Sequence, residues 1–66
     1  MGVRLKYQQG SFQREELLDS EAAAILRATA LALGGCLYFE LTNLDGDVLK
    51  GDQEVRKACA GALRTA

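Results

Sequence analysis

Ser20 to Thr42 reads SEAAAILRATALALGGCLYFELT, and the fold turns on where this stretch changes period. Ser20 offers a capping oxygen, Glu21 puts an acid in the first turn, and Ala22 to Leu33 contains no breaker. Gly34-Gly35 stops the helix. Beyond it, Leu37, Phe39 and Leu41 alternate with Tyr38, Glu40 and Thr42, the period of two expected of a half-buried strand over Cys36 to Thr42. A helix feeding directly into a strand is an α+β signal.

The helix has two unlike faces. At 100° per residue, Ala22, Ile25, Leu26, Thr29, Ala32 and Leu33 fall within an arc of about 120°, which is expected to face the core. Ala23, Ala24, Arg27, Ala28, Ala30 and Leu31 lie opposite. Ala22 to Phe39 is nearly all apolar, with Arg27 its only charge, yet it is alanine-rich and cut by the glycine pair. No membrane span is expected from it.

Working outward, Asp45-Gly46 suits a two-residue hairpin turn, with Asp47 to Lys50 returning as a strand. Either Val48 or Leu49 could point inward. Gly51 breaks that strand, and Asp52 can cap a last helix over Gln53 to Arg64. Its inner stripe is Val55, Ala58, Cys59, Ala62 and Leu63, with Gln53, Arg56, Lys57 and Arg64 outside. Toward the N-terminus, Val3, Leu5 and Tyr7 alternate with Arg4, Lys6 and Gln8 as a first strand. Gln9-Gly10 then turns the chain. Phe12 to Glu15 reads as a short return strand or as irregular chain, and Glu15 to Asp19 as a loop or an early helical turn.

At an offset of 36 residues the chain resembles itself weakly. Leu5 matches Leu41, Gly10 matches Gly46, Ala22 and Ala24 match Ala58 and Ala60, and Thr29-Ala30 matches Thr65-Ala66. The expected layout is therefore ββαββα: one two-layer α+β domain over residues 1–66, an antiparallel sheet of three or four strands with two helices packed on one face.

Composition narrows the chemistry. The chain has 66 residues and no histidine, so a single domain is expected within them, without imidazole catalysis or histidine metal sites. Eight basic and nine acidic residues nearly cancel, leaving no global field toward polyanions. Asp19, Glu21, Asp52 and Glu54 near helix starts, and Arg64 near a helix end, complement helix dipoles. The N-terminal residues alternate rather than forming a signal peptide's apolar run, so a cytoplasmic location with free, structural thiols at Cys36 and Cys59 is expected.

Asn43, Asp45 and Asp47 resemble the start of a calcium loop, but its sixth and twelfth positions would be Val48 and Glu54, without the required glycine. Gly34-Gly35 follows a helix, whereas phosphate-binding glycines precede one. No spacing sets a base beside Cys36, Cys59, Ser11 or Ser20. No catalytic activity, cofactor or metal is expected.

The expected function is protein–protein contact as a homodimer. The small-residue face of the first helix would meet a second copy through Ala24, Arg27, Ala28 and Leu31, Arg27 reaching an acid across the interface. The alternative is a nucleic-acid-associated regulator using Arg4, Lys6, Arg56 and Lys57. A third reading is an enzyme subunit contributing to a shared site.

Overall fold

The computed structural model describes the backbone of residues 2–65 and the side chains of residues 2–62. Strand β1 (Val3–Gln9) keeps its apolar period: Val3, Leu5 and Tyr7 are buried. Gly10 takes φ +62° and Ser11 stays at negative φ, the pattern of a type II′ turn with glycine first. The tight turn sets Gln9 opposite Phe12 and zips β2 (Phe12–Leu18) onto β1 along its whole length. Backbone pairing carries this strand, which explains why its side chains show so little apolar alternation. Glu15 to Leu18 is thus neither loop nor helical turn.

Helix α1 (Glu21–Leu33) starts as expected, the Ser20 hydroxyl oxygen accepting from Ala23 N–H at 3.1 Å. It ends in a Schellman arrangement: Cys36 N–H donates to Leu31 C=O at 3.0 Å and Gly35 N–H to Ala32 C=O at 3.0 Å, with Gly35 at φ +94°. That geometry drops Cys36 into the core.

Strand β3 (Leu37–Asn43) pairs antiparallel with β1, and the short β4 (Val48–Lys50) closes the sheet in the order β2-β1-β3-β4. The second turn differs from the expected two-residue form. Gly46 N–H donates to Asn43 C=O at 3.1 Å and Asn43 N–H to Asp47 C=O at 2.9 Å, enclosing the three residues Leu44, Asp45 and Gly46. This is a type I turn followed by glycine at φ +97°. A register shift then falls at Leu49, so Val48 and Leu49 are both exposed. Helix α2 (Asp52–Thr65) follows and buries Val55 and Cys59.

Both helices cover the sheet face that carries Val3, Leu5, Tyr7, Phe39 and Leu41, forming one core with Ala24, Ala28, Cys36, Val55 and Cys59. The ββαββα layout is therefore as read from the chain. The offset of 36 aligns Leu5 with Leu41, which face each other across the β1–β3 pair, and Gly10 with Gly46, which both take positive φ in turns of different type. It fails for the helices. Ala24 and Ala28 correspond in burial to Val55 and Cys59, because β4 is 3 residues long where β2 is 7. The expected roles of the Leu63 and Arg64 side chains, and the match to Thr65-Ala66, lie outside the described residues.

The orientation of α1 is the main correction. Ala24 and Ala28 are fully buried and Leu31 is half-buried, while Leu26 is 67% and Leu33 75% exposed. Of the arc expected inside, Ile25 packs against the core, whereas Leu26 and Leu33 face outward. The reason is volume: the sheet already supplies Leu5, Leu41, Tyr7 and Phe39, so the covering helix must approach closely, and only its alanine face permits that.

Candidate functional site

The four residues expected to meet a second copy do not form a free surface. Ala24 and Ala28 belong to the core, Leu31 packs against it, and Arg27 finds its acid within the chain. Glu16, pointing from β2 toward the helix layer, receives Arg27 Nε on Oε1 at 2.8 Å and Arg27 Nη2 on Oε2 at 3.0 Å. Tyr7 Oη donates to the same Oε2 at 2.6 Å. Arg27 first, then Tyr7, holds the Glu16 carboxyl below its ordinary range, and the hydrogen bond to Glu16 pushes the Tyr7 phenol above its own. Arg27 has no acid three or four residues away on its own helix, so its partner is expected on a second copy. The pairing strand placed it at Glu16 instead.

With Arg27 folded back toward β2, the outward surface of α1 is left without charge. Ala22, Leu26, Ala30 and Leu33 line it, and the remaining charged residue of the helix, Glu21, lies in its first turn. Two of the three leucines of α1, Leu26 and Leu33, thus point away from its own core. On β2, Phe12 is 69% and Leu17 67% exposed. That strand is a sheet edge seven residues long, whereas the opposite edge, β4, has three.

The open sheet face carries polar residues in cross-strand rows. Arg4 lies between Leu17 and Thr42, with its Nε 3.4 Å from Glu15 Oε1. Lys6 stands between Glu15 and Glu40. Thr42 is 1% exposed, and its Oγ1 has no hydrogen-bond partner. A shallow concavity of about 510 Å³ at one end of this face is lined by Lys6, Gln8, Gln13, Glu15, Tyr38 and Glu40 among others. Tyr38 reaches it from a bulge where two residues of β3 oppose Tyr7, and takes φ +58°. A left-handed tyrosine is unusual, and such strain is a reason to look for function.

The basic residues of the nucleic-acid reading are divided. Arg4 and Lys6 lie on the open sheet face; Arg56 and Lys57 lie on α2, which covers the other face. Arg56 is also paired to Asp52 at 3.1 Å. The four form no common surface. In the second turn, Asn43 Oδ1 accepts from both Asp45 and Asp47 N–H at 2.9 Å, which is hairpin chemistry. Among the described residues no cluster of acids and cysteines has metal-binding geometry, and no helix is long and apolar enough to cross a membrane.

No protein-family model, curated protein or solved structure matches the chain.

Proposed function

We propose that this chain is a small non-enzymatic protein that acts through protein–protein contact, and that its working form is a homodimer in the cytoplasm. The observation that carries this is the uncharged outer face of α1, with Leu26 and Leu33 mostly exposed. Surface helices ordinarily turn charge outward, and a small domain that does not is short of a covering partner. A second copy is always available at matching concentration, and isologous pairs are the commonest assembly of such chains. Buried free thiols at Cys36 and Cys59 suit a reducing compartment.

Static light scattering on the full chain tests the reading. A particle of twice 7.1 kDa at tens of micromolar supports it, and a strict 7.1 kDa monomer there overturns it.

A further inference from the structure

We infer that two copies join edge to edge through β2, in antiparallel register about Glu15, making one continuous sheet from two four-stranded ones. This rests on the reading that two copies associate, and it places their joint at the β2 edge rather than on the outer face of α1. The first support is the direction of the backbone groups. A type II′ hairpin closes on a pair, Gln9 and Phe12, that exchanges both hydrogen bonds, and pairs then alternate along the ladder. Phe12, Arg14, Glu16 and Leu18 therefore aim their N–H and C=O at β1. Gln13, Glu15 and Leu17 aim theirs at the free edge.

The second support is charge. With a two-fold axis through Glu15, Gln13 pairs with the partner's Leu17, and Arg14 stands opposite the partner's Glu16. Arg14 makes no ion pair within the chain among the described residues. Glu16 already accepts one hydrogen bond on Oε1 and two on Oε2, so Oε1 keeps room for a further donor. Charges usually blunt an exposed edge strand. Here their order matches one alignment: centring on Arg14 would oppose two arginines, and centring on Glu16 two glutamates. At the axis the two Glu15 side chains meet, but each has Arg4 beside it at 3.4 Å and Lys6 opposite it on β1. Phe12 meets the partner's Leu18, covering an exposed ring. Both α1 helices then lie on one face of the joined sheet, flanking the new seam.

Cysteine crosslinking reads the register directly. Glu15→Cys places two thiols on a hydrogen-bonded pair with Cα atoms ~5.5 Å apart, within disulfide range. Gln13→Cys places them on opposite sides of the axis, out of range. Mild oxidation is expected to give a covalent dimer from the first variant and not from the second. Equal crosslinking of both, or of neither in a dimeric protein, overturns the register. A second variant, Glu15→Pro, removes an edge-facing N–H while leaving the β1 ladder paired. It should remain folded by circular dichroism and dissociate at roughly tenfold higher concentration. If Glu15→Pro stays dimeric while Leu26→Glu separates the copies, the α1 face is the joint: the β2 pairing is wrong and the homodimer reading stands. A wild-type chain that is monomeric removes both.

Discussion

Phe39 N–H donates to Asp52 Oδ1 at 2.9 Å, tying the bulge in β3 to the first turn of α2. The bulge at Tyr38 interrupts the β1–β3 register next to Phe39, and Asp52 serves its N–H instead of capping its own helix. The other carboxylate oxygen pairs with Arg56 at 3.1 Å. Asp52→Ala leaves the half-buried N–H of Phe39 without a partner and should cost about 1–3 kcal/mol in urea melts. Asp52→Asn, which keeps an acceptor, should cost less. Equal losses would mean that the carboxylate acts through charge alone.

Tyr38 bears the strain of that bulge at φ +58° while its side chain is 62% exposed. Glycine adopts this backbone freely, so Tyr38→Gly should raise stability by about 1 kcal/mol, and Tyr38→Val should lower it. A loss of stability in the glycine variant would show that the ring's contacts outweigh the strain.

Thr42 Oγ1 is buried without a partner, so replacing the hydroxyl by a methyl group removes a desolvation cost. Thr42→Val is expected to gain up to about 1 kcal/mol in the same melts. A destabilised variant would indicate that the hydroxyl is satisfied in solution.

The Glu16 network sets an acid limit. The folded carboxyl titrates below its ordinary 4.5, so its contribution is present above that pH and is lost as pH falls through the depressed value. Glu16→Gln should make the protein less stable at neutral pH and its stability less dependent on pH in the acid range. Tyr7 has the opposite sign: its raised value gives a contribution complete below 10.0 and lost as pH rises through the folded value. Tyr7→Phe should lower stability by about 1.5 kcal/mol at neutral pH and abolish that alkaline loss.

Local rules read most of the fold. Ser20, Gly34-Gly35, the alternation of Val3, Leu5 and Tyr7, and that of Phe39 and Leu41 each act within a few residues and hold in the structure. Leu37, expected on the same face, is instead 48% exposed because the bulge at Tyr38 breaks the period. What failed depends on distant partners. The inward face of α1 is decided by how much volume Leu5, Leu41, Tyr7 and Phe39 leave beneath it, which periodicity along one helix does not record. The partner of Arg27 depends on the pairing that brings β2 beside α1, and β2 itself is an edge strand with few apolar residues to announce it. Ala28→Leu should accordingly cost about 1–3 kcal/mol by overpacking, while Leu26→Gln leaves the fold of the chain intact.

Sedimentation equilibrium over a concentration series tests self-association most directly. The expected result is a single monomer–dimer equilibrium, with mass rising from 7.1 kDa toward twice that value and a midpoint shifted upward by Glu15→Pro. A mass fixed at 7.1 kDa up to tens of micromolar would contradict it.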